Sequence, residues 1–187
     1  MNLIQCQVSA VAAAVVAILS VGGVADPQAA VGREHLRDFV AKAPVVVLAE
    51  VTAVEGLPHG DWKATGRVIE VWKGPKREIV SYGPGGYGDM AGCEGSSARV
   101  GETVVLFLEP ERDTVSDLLR IAYVGSGRLP VYTLEGKRLI ETSNFFLPAG
   151  VRTSQALVGD HTRELMPLDW LREFVKDSVS EPSKESQ

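Results

Sequence analysis

The sequence predicts a mainly β fold, a small barrel of short strands flanked by a short N-terminal helix and a C-terminal helix. Three features point there. β-Branched and aromatic residues recur in short runs, several of them alternating with polar positions. Gly and Pro clusters separate those runs at close intervals. Apolar residues fall at helical spacing in only two places, over Arg33 to Ala43 and after Pro167.

Residues 1–25 precede the fold and carry no Lys, Arg, Asp or Glu, with an apolar stretch from Val8 to Val21. That stretch is shorter than the roughly 20 apolar residues of a membrane span, and it relaxes into Gly22 and Gly23 before Asp26 and Pro27. It reads as a signal peptide over 1–25, with small residues Gly23 and Ala25 placed for cleavage after Ala25 and a cut after Ala30 as an alternative. The N-terminal MNLIQCQ lacks the usual basic residue, so an uncleaved anchor stays open. About 160 residues then remain, enough for one domain over 26–179 with a polar tail over 180–187.

Leu36, Phe39, Val40 and Ala43 line one face of the first helix, and Pro44 ends it. Val45 to Val54 follows as a first strand, with Val47, Ala49, Val51 and Ala53 on one face. Trp62 to Trp72 is the second. Its alternation slips near Ile69 and Glu70, and Gly66 lies inside it, which predicts a bulge or coiled bend. Arg77 to Tyr82 makes a third strand, and the Gly-rich stretch Gly83 to Gly95 follows. Gly101 to Leu108 reads as a strand buried on both faces and closed by Pro110. Leu118 to Val124, Leu129 to Leu134 and Lys137 to Glu141 add short strands, the last two around the turn residues Glu135 and Gly136, for about six or seven in all. Pro167 opens a helix with Leu168, Leu171, Val175 and Val179 at helical spacing. Val47, Ala49, Val51, Val68, Val105 and Phe107 are expected to share one core, with the last helix packed on the barrel.

The net charge of −5 argues against nucleic acid and anionic lipid as partners. The basic run Lys73 to Arg77 surrounds Gly74 and Pro75 and reads as a solvated turn. Cys6 lies in the leader, so an exported chain keeps Cys93 alone and has no internal disulfide. The string GPGGYG over 83–88 matches GxGxxG after a strand, yet no helix follows and no βαβ unit surrounds it. Glycine there suits a loop at a barrel mouth. Cys93 has no His at a spacing that marks a nucleophile and base, and Ser96 and Ser97 lack the GxSxG elbow. No CxxC or HExxH spacing supports zinc. His161 and Glu164 stand one helical turn apart as a surface pair, and Glu109, Glu111 and Asp113 lack the EF-hand pattern. No cofactor and no metal is expected.

The strings APVVVLAEVTAVEG, ATGRVIEVWKGP and CEGSSARVGETVVLFLEP together resemble the tissue-inhibitor-of-metalloproteinases-like and netrin-like modules, particularly exported bacterial ones. The likeness covers Pro44 to Pro110, and more loosely runs through Leu134. It implies a five-stranded Greek-key barrel of OB type. In the animal inhibitors a mature N-terminal cysteine in a CxC pair places its amine and carbonyl on the protease zinc and is disulfide-linked to a later cysteine, which Cys93 resembles. This chain has no cysteine between Ala25 and Cys93, and Glu94 stands where the family has Gly. The resemblance therefore implies the fold and not the zinc-chelating mechanism.

The function expected is a non-enzymatic binding or interaction module, secreted or in the periplasm or cell envelope, with a protein partner and no membrane contact beyond the export signal. Tyr82, Tyr87, Trp62 and Cys93 are the candidate ligand-binding residues, with Trp72 a further aromatic whose alternative role is core packing. Cys93 is expected to be partly exposed, which allows a disulfide dimer. A protease inhibitor acting through loops and a thiol-dependent enzyme using Cys93 are the alternatives.

Overall fold

The computed structural model describes residues 33–57, 62–84, 98–110, 118–122, 126–143 and 145–180. The predicted leader, Tyr87, Cys93 and the polar tail after Ser180 lie outside them, while Ser180 itself ends the last helix. In chain order the elements begin β1 (Glu34–His35), α1 (Leu36–Lys42), β2 (Val45–Gly56), β3 (Trp62–Lys73), β4 (Ile79–Gly83), β5 (Thr103–Pro110) and β6 (Leu119–Ile121). They continue β7 (Arg128–Leu134), β8 (Lys137–Glu141), β9 (Phe145–Phe146), β10 (Ser154–Val158), β11 (His161–Pro167) and α2 (Leu168–Ser180).

Five strands close a ring. β2 pairs antiparallel with both β3 and β5, β3 with β4, and β5 with β6, while β4 and β6 run parallel and complete the circuit. The cyclic order β2-β3-β4-β6-β5 is an OB-type Greek-key barrel, as the sequence predicts. Closure needs strong coiling, and β2 and β3 supply it by bulges. Val46 faces Lys73 while Val47 faces Val71, and Leu48 faces Glu70 while Ala49 faces Val68, so Trp72 and Ile69 are extra residues on β3. The second of these sits where the alternation was seen to slip. Thr52 is extra on β2 opposite Gly66 and Thr65, and it turns Ala53 out to solvent instead of continuing the inward face. A Cβ on Gly66 would stand 3.3 Å from the Ala49 Cβ and 3.4 Å from a Val80 methyl, so the bare backbone lets the walls approach there.

The expected single core is two cores, and strand parity is the reason. Val47, Ala49 and Val51 point into the barrel with Val104, Leu106, Leu108 and Ile121, and Val68 packs at their edge. Val105 and Phe107 point the other way, onto Leu36, Phe39 and Val40 of α1 and Leu168, Leu171 and Val175 of α2. Phe39 meets Phe107 and Phe145 edge to face, with ring centroids 4.9 and 5.0 Å apart. α1 stops before Pro44, and Lys73 reaches across to donate its ammonium to the Val40 and Ala41 carbonyls at 2.6 and 3.1 Å. Burial lowers the pKa of that ammonium. Lys73 is thus a cap on helix carbonyls and not part of a solvated turn.

β7 pairs with β5 beside the barrel and leads into a sheet ordered β7-β8-β11-β10. The β7–β8 loop is Glu135 and Gly136, at φ 50° and 74°, the two positive values of a type I′ turn. β10 and β11 form a hairpin the sequence reading left unassigned. Pro167 ends β11 and directly precedes α2.

Candidate binding end of the barrel

Val80 and Tyr82 alternate with exposed Ile79 on β4, which points the Tyr82 ring inward. Tyr82 is wholly buried, in the same cluster as Val51, Ala64 and Ala98. Its expected role as an accessible contact aromatic is therefore corrected: it is part of the wall. Trp62, at the first position of β3, packs edge-on against it at 5.9 Å and 87° and is itself partly buried. Of the aromatics singled out, Trp62 is the one in the described residues that can meet both the core and a ligand. Trp72 is 5% exposed in the outer core, so packing is its role.

A charged pair lies beside Tyr82. β5–β7 pairing sets Arg128 opposite Leu106, on the face that lines the barrel interior. From there its guanidinium bonds the Glu102 carboxylate, with the two side chains 5% and 20% exposed. Glu102 is fixed in turn: its carboxylate accepts the Arg99 N–H at 2.7 Å, and its carbonyl accepts the Val51 N–H at 2.9 Å. Losing one member of so buried a pair leaves an uncompensated charge, whereas the intact pair is close to neutral for stability. The Tyr82 hydroxyl is buried near this guanidinium, without a well-aligned hydrogen bond to a described residue. Burial drives its pKa up to about 12, against the pull of the Arg128 charge and with a push from Glu102. Near neutrality it is a protonated hydroxyl and not a base.

The interior face continues beyond the barrel onto β7 and β8. Tyr132 stands four positions after Arg128, on the same face, and is half-buried. Arg163 bonds Glu141 close by, and burial raises the Tyr132 pKa, with Arg163 opposing and Glu141 adding to the rise. Two charge-balanced pairs thus alternate with two tyrosines along one surface. The sequence reading missed both pairs, because 26 positions separate Arg128 from Glu102 and only strand register joins them.

The first residue of the Gly-rich stretch, Gly83, and Ala98, which follows that stretch, lie here. Gly83 lies against the Trp62 carbonyl, 3.4 Å from where its Cβ would be, and Ala98 re-enters the cluster that holds Tyr82. His161 and Glu164 lie on strand β11, not on a helix turn as expected, and Glu164 accepts from the Thr153 hydroxyl at 2.7 Å. Among the described residues no group of three or more His, Cys, Asp or Glu is placed to hold a metal ion. No helix among them is long and apolar enough to cross a membrane. A scan against protein-family models and a search of curated proteins return no match for this chain.

Proposed function

We propose that this protein is an exported, non-enzymatic binding module that takes a protein partner at the barrel end carrying Trp62. The carrying observation is the position of Trp62, partly buried and packed edge-on to the buried Tyr82 ring, with its carbonyl beside Gly83. A large ring anchored against the wall and still partly accessible contributes contact area with little loss of freedom on binding. The Arg128–Glu102 pair beneath holds the wall rigid, and Tyr82 stays protonated there. These are properties of a preorganised surface. The leader that reads as an export signal supports export, and the likeness to inhibitor and netrin-like modules bears on the fold.

The test uses the protein in the form recovered from the cell as affinity bait against native exterior material. Trp62→Ala is compared with Ile69→Ser, a change at an exposed residue on the outer barrel wall. Partners lost with Trp62→Ala and kept with Ile69→Ser support the barrel end. The reverse pattern places the interaction on the wall and refutes the assignment. Intact-mass analysis of the same sample reads whether residues 1–25 have been removed.

A further inference from the structure

We infer that β10 is a self-association edge, through which two copies of this chain pair antiparallel about a two-fold axis at Ala156. β10 is the terminal strand of the nine-stranded sheet and, among the described residues, has β11 on one side only. Its edge groups follow from register. Val158 faces His161 across the two-residue loop Gly159–Asp160, where Gly159 has φ 60° and Asp160 does not share the positive value, the signature of a type II′ turn. Residues flanking such a loop exchange both hydrogen bonds, so Val158, Ala156 and Ser154 turn their backbone groups to β11. Gln155 and Leu157 then turn theirs outward. An independent bond agrees: Glu164, the partner of Gln155, gives its carbonyl to the Thr142 N–H on the β8 side and not to β10.

Natural sheets guard such edges with charge, proline or bulges. β10 has none of these. Its sequence SQALV is uncharged, its register with β11 is unbroken, and Leu157 is 69% exposed.

The occupant is a second copy because the edge complements itself. With the axis at Ala156, Gln155 of each strand faces Leu157 of the other, so all four outward groups on each strand are used. Ala156 meets Ala156 at the close, non-hydrogen-bonded position, where small side chains fit. Beyond the paired residues, exposed Arg152 of one copy lies toward the Gly159–Asp160 turn of the other, which brings opposite charges near each other twice over. One five-residue strand buries less than the roughly 1,000 Å² of a stable interface, so the dimer is weak and concentration-dependent.

The experiment is sedimentation equilibrium on the protein in the form recovered from the cell, from micromolar to millimolar concentration. Reductant is present throughout, so that Cys93 cannot cross-link copies. A monomer–dimer equilibrium is expected. Ala156→Glu, which sets like charges face to face at the axis while facing Arg163 within its own hairpin, should weaken association about tenfold or more. Arg152→Asp should weaken it a few-fold, and the double variant Arg152→Asp with Asp160→Arg should restore it. Amide exchange at Gln155 and Leu157 should slow as concentration rises, while Ser154, Ala156 and Val158 stay unchanged. A monomer at every concentration overturns the inference. So does a dimer indifferent to Ala156→Glu, or single and double charge variants that weaken alike. Protection of Gln155 and Leu157 only when an extended peptide of another protein is added also overturns it.

Discussion

The barrel interior and the layer under the helices draw on the same strands, alternate residues of β2 and β5 facing each, yet they are filled differently. The interior takes Val, Ala and Leu with one buried tyrosine, and it closes around the Arg128–Glu102 pair. The outer layer takes Phe39, Phe107, Phe145 and Trp72 under two helices. The interior is narrow, and Gly66 shows how narrow. The outer space has no such limit, so the large side chains, and with them the larger share of apolar burial, fall outside the barrel. The stability of this barrel therefore depends heavily on the layer outside it, which leaves its interior end free to carry polar groups.

Truncation tests that division most directly. Phe107→Ala should cost about 3 to 5 kcal/mol, and Leu106→Ala, its neighbour on the opposite face, about 2 to 4, both read by denaturant unfolding. A reversed order would break the comparison. Next in size, Arg128→Met should cost about 3 kcal/mol by stranding the Glu102 carboxylate, and adding Glu102→Leu should recover most of it. If the double variant is as unstable as the single one, the interior pair is more than a compensated charge.

Alkali should open the interior before the outer layer. The Tyr82 pKa is raised by burial to about 12 in the fold, above its ordinary value, so its contribution is fully present below pH 10 and is lost as pH rises from there through 12. The loss is roughly 2 to 3 kcal/mol, and it disappears in Tyr82→Phe when stability is followed across that range. The smallest effect lies outside. Burial pushes the Glu70 carboxyl up, but its hydrogen bond from Lys176 on α2 and nearby positive charge outweigh that and leave the pKa lowered. Its contribution is present above the ordinary carboxylate range and lost as pH falls through the lowered value. Both side chains are about a third or more exposed, so Glu70→Gln should cost about 1 kcal/mol or less.

Most of the ring was legible. Val45–Val54 is a β-branched run whose second half alternates, Val104–Leu108 is an apolar run that reads as a strand buried on both faces, Glu135–Gly136 announces its turn, and the slip at Ile69 is a bulge. What could not be read was parity on a continuous apolar strand. VVLFL has no polar residue to say which side of Phe107 faces the barrel, and the one-core expectation failed there. The Tyr82 assignment failed for a related reason: aromatic character was weighed, and its shared parity with Val80 was not. The β10–β11 hairpin did leave a trace, since Val158-Gly159-Asp160-His161 carries a two-residue turn signal, but polar flanks hid the strands. Trp62 was legible from sequence as the start of a strand. Arg128 and Glu102 depend on pairing between distant segments and left no local mark.

The place of β2 between β3 and β5 also sets how the chain reaches its fold. β2 and β3 can pair early as a local hairpin, whereas Val45 meets Leu108 and Glu50 meets Thr103, partners more than fifty positions apart in the chain. Ring closure carries that loop-closure entropy before β5 contributes any contact, which places refolding in the slow, high-contact-order regime of milliseconds to seconds. Until β5 arrives, the apolar edge Val45-Val46-Val47-Leu48 lies open, uncharged and free of proline after Pro44, a template for pairing with other chains. Dilution should raise the refolded yield, and a nascent chain should need that edge shielded until residue 108 is available.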